Sequence, residues 1–244
     1  MKKNWNIQRI EVKQIPESDK KIYADKGGAD GAEGYVDFYE ERQDFIIRRD
    51  PATFEKMNRV WQLEFLCNHG LKPSDRFLDY GCGPAAAGVH FIEFLEAGKW
   101  VGVDISNESI KVGNELIQRK GLEAKRPELI YTPKGDLTPL AGRAFDVVIA
   151  QSVFTHLPPD EIIAILGRLK PLLAPGGAIF SSFSCCPKGI IQQQLHNWYY
   201  DHAFIREAAL DNRLQLDILP DWQHPYQNTM PSNVKSTMAR FRVA

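Results

Sequence analysis

The sequence predicts an α/β fold in which a mostly parallel sheet is covered by helices on both faces. Apolar strand patterns and amphipathic helix patterns alternate along residues 51–183, as they do in parallel sheets with right-handed crossovers. Residues 145–151 form an apolar run suited to a strand that is buried on both faces. Residues 77–95 predict a strand, a tight turn and a helix, with Gly81 and Gly83 in the turn.

The first predicted elements lie on either side of this turn. Asp50-Pro51 is a typical helix start, because the acid can cap the helix and proline suits its first position. His69-Gly70 is a typical end for the same helix. The turn leads into a second helix that Gly98 closes, and Ser106 is expected to cap a third helix running to Lys120.

The remaining core elements continue the alternation. Pro158-Pro159 begins a helix with an apolar face, and Pro175-Gly176-Gly177 is expected to end it before the next strand. The predicted strands after the turn comprise residues 99–104, 128–132, 145–151 and 178–183. In open α/β sheets, ligands bind beyond the carboxyl ends of such strands.

The region after residue 183 departs from this alternation. We expect an insertion over residues 184–212 that contains a helix around Trp198 to Leu210. Strands over residues 214–219 and 238–243 follow, and the loop between them holds Trp222, His224 and Tyr226. Aromatic side chains of this kind suit a concave, largely apolar acceptor pocket, although packing against the core would also explain them.

Residues 1–50 are predicted to form a separate segment in front of a domain covering residues 51–244. Four glycines between residues 27 and 34 indicate a mobile loop, and an apolar face at helical spacing follows them. That face consists of Tyr35, Phe38, Tyr39 and Phe45. Two interpretations remain open: a lid over the ligands, or a helix that only packs on the domain.

The composition argues against several classes of protein. There are 30 basic and 31 acidic residues without a long run of either sign, which argues against a dedicated nucleic-acid-binding protein. The four cysteines show no metal-ligand spacing with histidine, so we expect reduced thiols and no metal site. Neither a signal peptide nor a run of about 18 apolar residues is evident. The sequence therefore predicts a soluble, cytoplasmic protein.

The glycine turn alone leaves its ligand open. Gly81-x-Gly83-x-x-Ala86 fits a permissive dinucleotide fingerprint, and Asp104 lies 23 positions after Gly81, near the spacing of a ribose-binding acid. An NAD-dependent oxidoreductase is therefore one alternative. It would ideally show a strict third glycine and a catalytic Tyr-x-x-x-Lys pair after the fourth strand, and neither is present.

Further segments of the chain help to identify the ligand of the glycine turn. They are Asp79-x-Gly81-x-Gly83, Val101–Asp104, Gly135–Leu137, Phe145–Gln151 and Leu172–Gly177. Their order and approximate spacing resemble class I S-adenosylmethionine-dependent methyltransferases over roughly residues 54–183. The resemblance implies a doubly wound, seven-stranded sheet whose last strand is antiparallel, and it implies S-adenosylmethionine as cofactor. It says much less about the acceptor.

The resemblance also assigns cofactor contacts. At the amino-acid end, the turn with Gly81 and Gly83 would supply backbone N–H groups to the carboxylate. Asp79 would lie near the amine, directly or through water. Gln151 would lie beside the methionine portion.

At the nucleoside end, Asp104 would accept hydrogen bonds from both ribose hydroxyls, and Ile105 would stack on adenine. Asp136 and the backbone N–H of Leu137 would contact the adenine edge. The structural alternative for Asp104 is a helix cap, but Ser106 already offers one.

Methyl transfer is an in-line displacement, so alignment and exclusion of water can supply much of the acceleration. A hydroxyl acceptor would still have to lose a proton, and histidine is the usual base near neutral pH. His156 and His224 follow strands at the expected edge, and each has a structural alternative. We expect O- or N-methylation of a small-molecule or glycan-like acceptor; a noncatalytic S-adenosylmethionine-binding partner subunit is the other alternative.

Overall fold

The computed structural model describes residues 3, 5–10, 44, 47, 59–193, 197–225, 227, 230 and 232–243. The chain contains two compact units. Residues 21–149 form the central unit, and residues 1–20 with 150–244 form the terminal unit. In the described part of the chain, no helix is long and apolar enough to cross a membrane.

Five α-helices and ten strands have bounds that the structure gives. The helices are α1 Val60–Asn68, α2 Gly88–Phe94, α3 Asn107–Arg119, α4 Pro159–Leu169 and α5 His202–Asp211. The first five strands are β1 Ile7–Ile10, β2 Phe77–Tyr80, β3 Trp100–Asp104, β4 Glu128–Tyr131 and β5 Phe145–Ala150. The others are β6 Leu173–Cys185, β7 Ile190–Gln193, β8 Asn197–Tyr200, β9 Leu214–Leu219 and β10 Lys235–Val243.

The sheet of the central unit is parallel, in the order β5-β2-β3-β4. Strand β2 is buried along its whole length, as expected for a strand covered on both faces. In the register, Asp79 lies opposite Gly102 of β3 and Ile149 of β5. The carboxyl ends of these strands therefore lie at one edge, and the glycine turn begins there.

Small residues allow close packing next to this edge. A Cβ atom on Gly102 would lie 2.4 Å from the Trp100 indole and 2.9 Å from Cys82 Sγ. A Cβ atom on Gly88, the first residue of α2, would lie 2.6 Å from the same indole. The Trp100 ring thus occupies the space that side chains at these two glycines would need.

Helix α3 begins as predicted. The Ser106 hydroxyl accepts a hydrogen bond from the Ser109 N–H at 3.0 Å, so Ser106 is its N-cap. Ser106 also donates to Asp44 Oδ1 at 2.5 Å, which ties one residue of the N-terminal segment to the start of α3. Gly121 follows the helix with a φ of 67°, which suits the predicted helix end.

In the terminal unit, β10 runs antiparallel between β6 and β9. The predicted antiparallel C-terminal strand is therefore confirmed. Beyond β6 lie β8, parallel to it, then β7, antiparallel to β8, and finally β1, parallel to β7. The central unit's four strands with β6, β9 and β10 account for the seven that the resemblance implies; β1, β7 and β8 are additional.

The N-terminal residues of the terminal unit pack on its helices. Trp5 Nε1 donates to Asp160 Oδ1 at 2.6 Å, and the Trp5 ring lies 5.3 Å from the Phe204 ring. Lys3 pairs with Glu207 and Asp211 on α5. The predicted aromatic helix of the N-terminal segment, and the helix start at Asp50-Pro51, lie outside the described residues.

Three predicted boundaries are wrong. Residues 197–200 form strand β8, and the helix begins only at His202, because Trp198 and Tyr200 are buried at the alternate spacing of a strand. Strand β6 begins at Leu173 and includes the predicted break at 175–177, where Pro175 and Gly176 are exposed and pairing with β10 has not yet begun. Helix α2 ends at Phe94, because Leu95 is already extended, with a ψ of 155°.

Candidate functional site

The glycine turn that follows β2 has an unusual backbone conformation. Gly81, Gly83 and Ala85 have positive φ angles of 72°, 55° and 56°, a region that glycine adopts without steric cost. Among the described residues, a Cβ atom on Gly83 would have no heavy atom within 4 Å. The backbone at Gly83 is therefore open to a ligand that approaches closely.

The N–H groups of this turn have partners inside the protein. Gly81 and Cys82 donate to the Val103 carbonyl at 2.8 and 3.0 Å, and Gly83 donates to Asp104 Oδ2 at 2.8 Å. The prediction that the turn supplies backbone N–H groups to a cofactor carboxylate therefore does not hold for the N–H groups of Gly81, Cys82 and Gly83. Residues at the end of β3 accept these hydrogen bonds, because a buried N–H group needs a partner.

Asp104 is held in place by the backbone on both sides. Its Oδ2 accepts from Gly83 N–H and its Oδ1 accepts from Ser106 N–H, each at 2.8 Å. The side chain is buried, with 8% of its surface exposed. The two backbone contacts therefore hold the Asp104 carboxylate in a fixed orientation.

Asp79 is the second buried carboxyl group of the site. Burial and, to a smaller extent, the negative charge of Asp104 raise its pKa, Arg59 lowers it, and the net result is a pKa of about 7. Near neutral pH, the charged form of Asp79 is therefore disfavoured until a positive charge comes close. Between the glycines, burial raises the pKa of the Cys82 thiol well above its usual value, so Cys82 stays neutral.

The other predicted nucleoside contacts follow β3 and β4. Tyr131 at the end of β4 lies opposite Asp104, so the loop with Asp136 starts beside the end of β3. Asp136 is exposed, and its Oδ1 accepts from the N–H and the hydroxyl of Thr138 at 2.9 and 2.6 Å. Leu137 is buried and Ile105 is half-buried. These residues share the central unit with Asp79 and Asp104.

Gln151 and His224 come together in the terminal unit. The amide nitrogen of Gln151 lies 3.4 Å from His224 Nε2, a long hydrogen bond. Gln151 directly follows β5, and His224 lies in the loop between β9 and β10.

Two further side chains hold that loop. Trp222 Nε1 donates to Ser236 Oγ at 2.9 Å, and Gln227 bridges the Val234 carbonyl and the Ser236 N–H at 2.8 and 2.7 Å. Tyr226 lies outside the described residues. The loop that carries His224 is thus anchored to the start of β10.

His156 lies elsewhere in the terminal unit. It is the last residue of the 3₁₀ turn Phe154–His156, is half-buried, and its N–H donates to the Val153 carbonyl at 3.0 Å. Of the two predicted histidines, the structure brings His224 to Gln151.

Sequence reasoning missed three serines around Gln151. Ser152 has a positive φ of 60°, and its N–H donates to Ser182 Oγ at 2.7 Å. Ser181 Oγ donates to the Ala150 carbonyl at 3.1 Å. The available signal was a pair of hydroxyl residues, Ser181 and Ser182, in the middle of an apolar strand.

Comparisons with known proteins agree with the predicted family. Residues 78–179 match the family model described as "Methyltransferase domain". An uncharacterised methyltransferase of Schizosaccharomyces pombe is 27% identical over 144 residues, 57% of this chain and 49% of that protein. A demethylmenaquinone methyltransferase of Bacillus cereus is 25% identical over 172 residues, 67% of this chain and 70% of that protein. This chain spans about half the length of the yeast relative.

The fold agrees as well. The crystal structure of magnesium protoporphyrin IX methyltransferase from Synechocystis, which contains bound S-adenosylmethionine, superposes with a TM-score of 0.58 at 19% identity. The superposition covers 92% of this chain and 97% of that one. The predicted doubly wound α/β fold is confirmed, and the match to the methyltransferase domain model is consistent with the predicted class I methyltransferase family.

Proposed function

We propose that this chain, a class I methyltransferase by sequence family and fold, uses S-adenosylmethionine to methylate a small-molecule or glycan-like acceptor on oxygen or nitrogen. One observation carries the proposal: two buried carboxyl groups, Asp79 and Asp104, lie at a glycine turn that is open at Gly83. S-adenosylmethionine offers an ammonium group and two ribose hydroxyls, which suit these carboxylates.

The turn also fits a ligand without phosphate. Its N–H groups are occupied by Val103 and Asp104, and α2 begins only at Gly88. A dinucleotide pyrophosphate would need free N–H groups at this position. The arrangement thus argues against NAD, whereas the contacts of Asp79 and Asp104 with S-adenosylmethionine do not depend on these N–H groups.

Apart from the N–H contacts of the turn with the carboxylate, the proposed cofactor contacts keep the assignments implied by the sequence. Asp79 faces the amine, Asp104 the ribose, and Ile105, Asp136 and Leu137 the adenine, while Gly81 and Gly83 allow close approach. Gln151 lies beside the methionine portion. Bound S-adenosylmethionine supplies an electrophilic methyl group on a sulfonium.

His224 is the proposed base, ahead of His156, because of its contact with Gln151. With the Gln151 amide as donor, His224 carries its proton on Nδ1 and keeps a lone pair on Nε2. An acceptor hydroxyl that displaces the amide would donate to the same lone pair and pass its proton there.

Two buried polar atoms of the terminal unit support a polar acceptor. Thr155 Oγ1 and Trp198 Nε1 have no hydrogen-bond partner among the described residues. Buried polar atoms normally have one, so a ligand or a water molecule is expected beside each.

The test compares two glycines that both have positive φ angles. Gly83→Ala would place a methyl group in the proposed cofactor space, whereas Gly121 also has a positive φ and open surroundings but ends α3. We expect both substitutions to destabilise the fold similarly. Only Gly83→Ala should weaken S-adenosylmethionine binding, by more than tenfold in calorimetric titration.

Three outcomes separate the candidate functions. Thermal stabilisation of the wild-type protein by S-adenosylmethionine and its demethylated product, without stabilisation by NAD, supports the proposal. Stabilisation by NAD alone would favour an oxidoreductase. Cofactor binding without any methylated product in a mass-spectrometric screen of acceptors would favour the noncatalytic partner subunit.

A further inference from the structure

We infer that Ser181 and Ser182 on β6 are positioning residues that fix Gln151 and, through it, the imidazole of His224. The effect on turnover rests on the proposed function, whereas the effect on His224 does not. Ser181 Oγ donates to the Ala150 carbonyl at 3.1 Å, and Ser182 Oγ accepts from the Ser152 N–H at 2.7 Å. Both serines are buried, with 0% and 2% of their surface exposed.

These two hydrogen bonds hold the peptide groups on either side of Gln151. The Ala150 carbonyl belongs to the peptide bond before Gln151, and the Ser152 N–H belongs to the one after it. Because peptide groups are planar, fixing both leaves the Gln151 backbone little freedom. Only the side-chain torsions remain to place its amide against His224 Nε2, 3.4 Å away.

The backbone at Ser152 shows why such support is needed. Its φ of 60° lies in the left-handed region that non-glycine residues avoid. The N–H group of this residue donates to Ser182, so the hydrogen bond holds the chain in this conformation. Without the Ser182 hydroxyl, Ser152 can relax toward an extended backbone, and the Gln151 amide would move away from His224.

The first readout is the tautomer of His224, which is independent of catalysis. Two-bond proton–nitrogen NMR spectra distinguish a ring with its proton on Nδ1 from a mixture of tautomers. We expect wild-type His224 to carry the proton on Nδ1 and Ser182→Ala to give a mixture, as Gln151→Ala should. Ser181→Ala should act in the same direction.

A double variant separates positioning from stability. Ser152→Gly removes the conformational penalty at residue 152, so Ser152→Gly in the Ser182→Ala background should regain thermal stability. It should not regain the single His224 tautomer. Thr237→Val is the control: it removes a hydroxyl from β10, opposite Phe183 in the register, whose partner is the Cys185 thiol and not the backbone of residues 150–152. It should leave the His224 signals unchanged.

The second readout is turnover. For Ser182→Ala we expect kcat to fall about tenfold, with the dissociation constant of S-adenosylmethionine changed less than twofold. A Ser182→Ala protein that keeps the wild-type His224 tautomer overturns the inference, whatever its activity. A wild-type protein that methylates nothing overturns the proposed function but leaves the NMR test valid. An altered tautomer with unchanged kcat overturns the role of the two serines in catalysis.

Discussion

The glycine turn of the central unit and the Gln151 end of the terminal unit are held in different ways. At the turn, a charged group accepts short hydrogen bonds of 2.8 Å from the backbone of Gly83 and Ser106. At Gln151, two side chains 73 residues apart meet over 3.4 Å. Charge-assisted hydrogen bonds are about twice as strong as neutral ones. The turn is therefore preorganised for a ligand, whereas Gln151 and His224 can exchange partners when one arrives.

The largest expected effect lies at the exchangeable pair. His224→Ala should lower kcat about 100-fold for a hydroxyl acceptor, because a positioned base contributes on that order. The dissociation constant of S-adenosylmethionine should stay within about twofold. Steady-state kinetics with His202→Ala, an exposed histidine at the start of α5, provides the control. A larger loss in His156→Ala than in His224→Ala would move the base to His156.

At the preorganised turn, a substitution should weaken cofactor binding and not turnover alone. Asp104→Ala should weaken S-adenosylmethionine binding by roughly ten- to a hundredfold, since a charge-assisted contact of this kind is worth about 1.5 to 3 kcal/mol. Asp75→Ala is a matched control, because Asp75 also accepts a backbone N–H at 2.8 Å, from Lys72. If calorimetry gives the same affinity for both variants, Asp104 only supports the turn.

The pH dependence of cofactor binding tests the role of Asp79 beside the glycine turn. Because the pKa of Asp79 is raised to about 7, its charged form should become available to an ammonium group as the pH rises. Affinity for S-adenosylmethionine should increase about tenfold between pH 6 and pH 8. Asp79→Asn should bind weakly with a flat profile. A wild-type profile as flat as that of the variant would remove Asp79 from the amine contact.

The stability of the ligand-free protein should fall as the pH rises, whereas its affinity for S-adenosylmethionine should increase. The folded-state pKa of Asp79 lies above its ordinary value of 3.8, so the folded state binds more protons between these values. Its contribution to stability is full below pH 3.8 and is lost as the pH rises through about 7. Urea unfolding should show wild type losing stability relative to Asp79→Asn over this range.

The smallest expected effect concerns the N-terminal residues of the terminal unit. Trp5→Phe keeps an aromatic ring beside Phe204 but removes the hydrogen bond to Asp160. We expect a loss of about 1 kcal/mol in the free energy of unfolding. Lys3→Ala breaks the exposed ion pairs with Glu207 and Asp211 and removes the ammonium group 5.5 Å from the Trp5 ring; we expect a cost of less than about 0.5 kcal/mol. Equal losses in thermal unfolding would contradict the packing of Trp5.

Local sequence determined most of the central unit. The strand, glycine turn and helix at residues 77–94, the Ser106 cap and the parallel strands all follow from signals within a few residues of each other. Such signals act through backbone conformation and local hydrogen bonds, which depend on neighbours in the chain. For the same reason, the family resemblance could be recognised from short motifs.

Only the tertiary structure decided the partners of those motifs. The Asp104 carboxylate takes up the Gly83 N–H group, β1 pairs with β7 across more than 180 residues of sequence, and Gln151 meets His224. Strand propensity at Trp198 and Tyr200 became decisive once one face of β8 was buried. Contacts between distant segments depend on which surfaces are buried together, and no pattern within a short window records that choice.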